Sequence, residues 1–283
     1  MVLESLMSPT SALKKPWVLF FVGLLYASVG LLLGWWIFEQ YASLVMVFLT
    51  VMAAIPLFYY AIIKEESQDL LGLSEATLLK KHARVLLFFI VLFIGMTISY
   101  ALWYAFLPVS HVSNIFSIQT QTIADINQQV AGGFVGSLNV FKKIFLNNIK
   151  VMIFCILFSF LYGAGAIFIL TWNASVLGTA IGNFIRTQVS YHAFTSGLGG
   201  VGAYMYVFSL SLVRFFLHGI PEIFAYFVAG LAGGILSVAF IRHHIQTKHF
   251  ERILLDVSNL LLISVGVLFI AAAIEVFVTP LFF

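Results

Sequence analysis

Three residues of the chain combine the types and the spacing that chemistry would need. Arg214, His218 and Glu222 are separated by four and four positions, an interval that lines side chains up on one face of an unbroken helix. An imidazole and a carboxylate together can ligate a metal or hold an ion, and a guanidinium can fix an anionic headgroup. Zinc, however, asks for three or four protein ligands, and no HExxH motif supplies them. The plain reading is a structural clasp in which Glu222 pairs with His218 or Arg214. Gly219 and Pro221 fall inside the triplet, so a tight turn between two helices is expected there. Pro221 would open the second helix and set Glu222 beside its unpaired amides, and His218 would close the first.

The remaining polar groups carry weaker signals. His243, His244 and His249 lie beside Arg242 and Lys248, the pattern of a solvated basic linker at an anionic membrane surface. Cys155 is the single cysteine, so neither an intrachain disulfide nor a cysteine metal cluster can form. Asn147 and Asn148, which precede an apolar run, and Asn173, which follows it, read as helix caps or cross-helix bonds. Glu275 is placed to anchor near the end of the last apolar run. Gly163, Gly165, Gly178, Gly182, Gly230, Gly233 and Gly234 lie in apolar surroundings, where small residues let backbones approach closely, within the monomer or in a homodimer. No nucleophile, base and orienting group form a set, so no enzymatic activity, cofactor or metal is expected.

What positions these residues must be a membrane. Apolar residues make up 62% of the 283 positions, charged residues 9%, and the mean hydropathy is +1.07. Soluble domains run near 45–50% and 25%, so water cannot be the main solvent. Several continuous apolar windows reach about 20 residues, the length that crosses a hydrocarbon core as a helix. Barrel strands would alternate instead. The net charge of +3 therefore speaks to orientation and anionic lipid, and no nucleic-acid signature is present.

The expected fold is an all-α polytopic bundle of six or seven spans with re-entrant and interfacial helices. Spans are read at about Trp17–Phe38, Tyr41–Ile63, Val85–Leu107, Val151–Thr171, Val201–Leu217, Pro221–Ile241 and Leu254–Phe277. Lys64–Arg84 mixes leucines with charges and is expected to lie on the membrane as an amphipathic helix. A second surface helix is expected over Ile118–Phe145, where apolar residues recur at a helical period. Asn173–Tyr191, broken by Gly178, Gly182, Asn183 and Arg186, is read as re-entrant, since irregular backbone at membrane depth is tolerated only under protein cover or beside water.

Nine lysines and arginines fall in the N-terminal tail and the loops that join the second to the third and the sixth to the seventh span. Three, Lys142, Lys143 and Lys150, fall opposite. That asymmetry places the N-terminus in the cytoplasm and the C-terminus outside a cell membrane.

Taken in order, Asn147-Asn148, Gly163 and Gly165, Asn173 with Leu177-Gly178, His218-Gly219-x-x-Glu222 and Ala229-Gly230-x-Ala232-Gly233 resemble the stage II sporulation protein M (SpoIIM) family over roughly Phe141–Phe240. The resemblance divides the chain into an N-terminal three-span region, 1–137, and a family-like core with a C-terminal span, 138–283. It implies a membrane protein without catalytic activity that recruits other membrane or envelope proteins. The alternative from the residues themselves is a transporter-like subunit with a polar site around Arg214, His218 and Glu222, because broken helices and midplane ionisable groups mark transport sites.

Overall fold

The computed structural model describes residues 17–69, 75–128, 134–162, 165–196, 201–242 and 248–281, and these are helical with no strand. Among the described residues nine α-helices follow in order: α1 Val18–Ile37, α2 Ala42–Asp69, α3 Glu75–Phe106, α4 Val109–Ile115, α5 Ser117–Gln128, α6 Phe134–Tyr162, α7 Ala166–Ser196, α8 Val201–Arg242 and α9 Lys248–Ala273. A π turn, Ile274–Val278, and a 3-10 turn, Thr279–Leu281, extend α9. Seven of the helices are long and apolar enough to cross a membrane: Val18–Ile37, Glu39–Ala61, Ala83–Phe106, Ser137–Leu161, Ala166–Tyr191, Gly219–Ile241 and Phe250–Val278. The chain is a polytopic helical membrane protein.

Burial separates central from peripheral helices. The α8 span is 83% buried and the α3 span 67%, whereas the α6 and α9 spans are each 22% buried. Continuous aromatic contact joins the two central helices to α2. Phe58 stacks on Phe89 with ring centroids 4.0 Å apart, and Phe89 stacks on Phe227 at 5.6 Å. Lipid tails are as apolar as these rings, so burial alone gives little drive for helices to associate, and close packing with polar bonds must supply the rest. Ser28 and Ser99 hydroxyls bond at 2.9 Å, and Trp103 Nε1 donates to Ser28 Oγ at 3.0 Å, tying α1 to α3. Thr50 Oγ1 and the Tyr100 hydroxyl, 2.9 Å apart, tie α2 to α3.

The polar stretch after Pro108 folds as a cap. Ser43 Oγ at the start of α2 donates to the Ile115 carbonyl at 2.8 Å. Gln119 is fully buried, and its Nε2 donates to the Ser43 carbonyl at 3.0 Å and to Ser175 Oγ at 3.3 Å. α5 is thus pinned to both α2 and α7.

Five expectations change. The piece containing Asn173–Tyr191 is not re-entrant; it is the main part of the continuous helix α7. Its irregular residues are accommodated by a neighbour: a Cβ on Gly178 would lie 2.7 Å from Tyr100 Cβ, and one on Gly182 2.6 Å from Tyr104 Cβ, so these glycines are where α3 and α7 touch. The span read at Val151–Thr171 is split between two helices. α6 ends at Tyr162 and α7 begins at Ala166, so the fourth crossing starts about fourteen residues earlier and includes Lys142, Lys143 and Lys150. Lysine stems can lie along apolar surface while the ammonium reaches the interface.

The spans read at Val201–Leu217 and Pro221–Ile241 are one 42-residue helix, α8, which runs through Pro221. Finally, the surface helix read over Ile118–Phe145 is shorter. α5 ends at Gln128, and Phe134, Leu138, Phe141 and Phe145 belong to α6. Lys64–Arg84 is not a separate helix along its described backbone either: residues 64–69 continue α2 and residues 75–84 begin α3, while 70–74 lie outside the described residues.

Candidate functional site

The continuity of α8 sets the geometry of the triplet. Arg214, His218 and Glu222 stand on one continuous helix rather than across a turn, so Arg214 and Glu222 are separated by about 12 Å along its axis. They do not form a pair. The Arg214 guanidinium lies over the rings of Phe184 and Phe215, 5.2 and 5.9 Å from their centroids, a cation–π arrangement that suits an arginine in apolar surroundings. The Glu222 carboxylate accepts a 2.7 Å hydrogen bond from the Tyr226 hydroxyl one turn on. The His218 side chain lies outside the described residues. Gly219 faces a shallow recess lined by Ile90, Phe93, Ile94, Leu177, Phe216, Ile220 and Ile223, and a Cβ there would meet nothing within 4 Å.

Glu222 has neighbours the sequence did not associate with it. Ser264 Oγ of α9 donates to the Ala225 carbonyl of α8 at 2.7 Å and approaches Met152 Sδ of α6 at 3.2 Å, so the three helices meet at this level. One turn before Met152, on the same face of α6, is Asn148; three residues before Ala225 is Glu222. Glu275 stands eleven residues after Ser264, again on the same face, and lies within electrostatic reach of both Glu222 and Tyr226. The α6–α8–α9 seam therefore collects an amide, two carboxyls and a phenol inside the membrane.

Asn148 corrects its expected role. It lies within α6 and within the fourth crossing rather than before it, so it caps nothing. It is 4% exposed, and its Nδ2 has no hydrogen-bond partner among the described residues. An amide donor left unpaired in a low-dielectric interior is costly, which marks the seam as the place where a polar ligand would be stabilised. Asn147, beside it, is exposed. Asn173 is also inside a helix, donating through Nδ2 to the Ile169 carbonyl at 2.8 Å.

Glu275 carries a second signal, since it falls in the π turn that extends α9, and single π turns in helices often accompany function. Periodicity could have linked Asn148 to Met152, but nothing in the sequence gives the register between α6, α8 and α9. Among the described residues, no group of three His, Cys, Asp or Glu side chains is arranged to hold a metal ion.

The glycines mark contacts between helices. A Cβ on Gly230 would lie 2.8 Å from Ala166 Cβ, and one on Gly233 would lie 2.7 Å from the Ile156 carbonyl oxygen. The backbones of α6 and α8 consequently meet at Gly233, and α8 meets the start of α7 at Gly230.

At the other side of α7, Arg186 donates to the Leu107 carbonyl at the end of α3, and its guanidinium lies 5.8 Å from the Tyr104 ring centroid. This bond satisfies a carbonyl that the helix end leaves open, and it explains why an arginine is tolerated in α7.

Comparison with known proteins agrees with this architecture. The family model described as stage II sporulation protein M matches residues 24–280, well beyond the Phe141–Phe240 stretch that carries the sequence resemblance. No curated protein and no solved structure matches the chain. Since the match takes in all seven crossings in whole or in part, the chain belongs to the stage II sporulation protein M family.

Proposed function

We propose that the protein is a non-enzymatic membrane scaffold that recruits partner proteins at the cell membrane. The observation that supports this most is the length of α2 and α3. At 28 and 32 residues they extend roughly 42 and 48 Å, against a hydrocarbon core of about 30 Å. Their charged ends, residues 64–69 and 75–84, therefore continue as helix beyond the bilayer and offer a firm handle to another protein. In endospore-forming bacteria the family member holds cell-wall hydrolases at the septum; the general role of a platform transfers here more readily than sporulation itself. The charge asymmetry favours a cytoplasmic N-terminus, which puts this projection in the cytoplasm and the C-terminus outside.

The test is a photo-crosslinking residue placed at Glu65 or Glu75 of the full chain in its native membrane, compared with one at lipid-facing Phe48. The scaffold reading expects one discrete adduct from the first two sites and none from the third. Identical lipid-only labelling at all three positions would remove its support.

A second reading is favoured by one observation, the unpaired Asn148 amide one turn before Met152 on the α6 side of the seam where Glu222 and Glu275 lie within electrostatic reach of each other. In a transporter-like subunit this seam would hold an ion in transit. Liposome flux sensitive to Glu222→Gln supports it; flux unaltered by that change speaks for the scaffold.

A further inference from the structure

The last crossing turns a complete heptad seam outward. Along α9, Arg252, Leu255, Asn259, Leu262, Gly266 and Phe269 are all exposed. They recur at alternating steps of three and four, the a and d spacing of a coiled coil. Leu255, Leu262 and Phe269 take the d positions and are 67%, 71% and 53% exposed. Lipid tails can cover such residues, as they cover Phe21 or Phe48 elsewhere. They cannot satisfy the a positions.

Asn259 is the clearest case. It lies five residues from the centre of the crossing Phe250–Val278, about 7.5 Å from mid-depth, and so well inside the hydrocarbon. A bare amide there costs several kcal/mol. Ser258, its neighbour, avoids that cost by donating to the Leu254 carbonyl at 2.7 Å, whereas no described residue bonds the Asn259 side chain. One heptad on, Gly266 would place a Cβ in open space, with nothing within 4 Å. Gly230 and Gly233 are already pressed against neighbouring helices; Gly266 presents the same bare backbone to no described residue.

These features select one occupant. An amide is both donor and acceptor, so asparagine at an a position is complementary to itself, and a two-fold axis along the membrane normal brings equal depths together. Two copies inserted in the same sense necessarily present α9 in parallel. In a parallel pair each a position is flanked by a g position of the other helix, and one heptad before Asn259 that contact sets Arg252 against Glu251 of the second copy. Both are exposed, and their charges are opposite.

We propose that α9 is the interface of a parallel homodimer, registered by Asn259 against its own counterpart and allowed to close by Gly266.

The experiment uses the full chain in lipid bilayers. Leu262→Cys under mild oxidation is compared with Phe48→Cys on a distant lipid-facing surface; the native Cys155 is buried. Subunit counting by single-molecule photobleaching then follows Asn259→Leu and Asn259→Gln over a range of lipid dilutions. The expected result is a disulfide-linked dimer from Leu262→Cys alone, a dissociation constant about ten-fold higher for Asn259→Leu, and little change for Asn259→Gln, which keeps both donor and acceptor. Equal crosslinking at the two sites, an unchanged dimer fraction in Asn259→Leu, or a native chain that counts as monomer at every dilution would each overturn the proposal.

Discussion

The Tyr226 hydroxyl donates to the Glu222 carboxylate across a single turn of α8, at 2.7 Å. Leaving one partner of such a bond unsatisfied in the interior costs more than the bond itself contributes. Tyr226→Phe is accordingly expected to lower stability by about 1–3 kcal/mol, read as a reduced midpoint of thermal unfolding in detergent. Glu222→Gln retains an acceptor for the same hydroxyl and is expected to lose less. A Tyr226→Phe midpoint equal to the native one would show that the bond contributes nothing to the bundle.

The crossing of α6 and α8 at Gly233 makes a second expectation. A Cβ there would sit 2.7 Å from the Ile156 carbonyl oxygen and 3.1 Å from Ile156 Cα, and backbone cannot yield as a side-chain tip would. Gly233→Val should cost at least about 2 kcal/mol through overpacking or prevent a stable bundle altogether. Gly219→Ala, with no atom in the way, should fold normally. Purified yield and monodispersity in detergent compare the two directly.

Arg186 suggests a third. Its donation to the Leu107 carbonyl and its position over Tyr104 hold α7 against the end of α3. Arg186→Leu should raise hydrogen exchange around residues 104–109 while leaving the α2–α3 contact at Thr50 and Tyr100 protected. Arg186→Lys should rescue only part of the protection, because an ammonium lacks the planar fork and stacks less well on a ring. Uniform exchange in all three proteins would mean that the contact does not hold α7 in place.

Gln119 is the fourth. Gln119→Leu removes both the Ser43 and the Ser175 bonds of the cap, so α4 and α5 should become accessible to limited proteolysis before the crossing helices do. Retention of native protease resistance over residues 109–128 would count against the cap being held by these bonds.

Sidedness supplies the last. Single cysteines at Ser67 and Gln246 should react with a membrane-impermeant reagent only from the cytoplasmic face, with Cys155 silent because it is buried. Labelling of the two positions from opposite faces would overturn this topology, because the four crossings between them place both on one side.

The number of crossings and the helical class follow from composition, because hydropathy over about 20 residues is a property of the chain alone. The contacts at Gly178, Gly182, Gly230 and Gly233 were also legible, since small residues in apolar runs have one dominant use. Boundaries were less so. Gly219 and Pro221 look like a break when local propensity is read, yet α8 passes through them, with Ile90, Phe93 and Ile94 of α3 and Leu177 of α7 lining the recess beside Gly219. Gly165, read as a packing residue inside a crossing, stands in the turn before α7 and is pressed against the Phe158 backbone of α6, whereas Gly163 lies outside the described residues.

The polar seam was half visible. Glu222 stood out for being ionic, but Asn148 and Glu275 join it only through the meeting of three helices at Ser264. No spacing along one chain segment encodes that meeting.

The deep burial of α8 bears on how the molecule is made. Its crossing segment Gly219–Ile241, 83% buried, is the sixth crossing in chain order, so the five crossings synthesised before it enter the bilayer around a groove that nothing yet fills. Until α8 leaves the ribosome, the Phe58, Phe89 and Phe93 surfaces that will receive Phe227 face lipid or the insertion machinery. Biogenesis of this protein thus has a late commitment point, and nascent chains stalled before residue 241 should be prime substrates for membrane quality control.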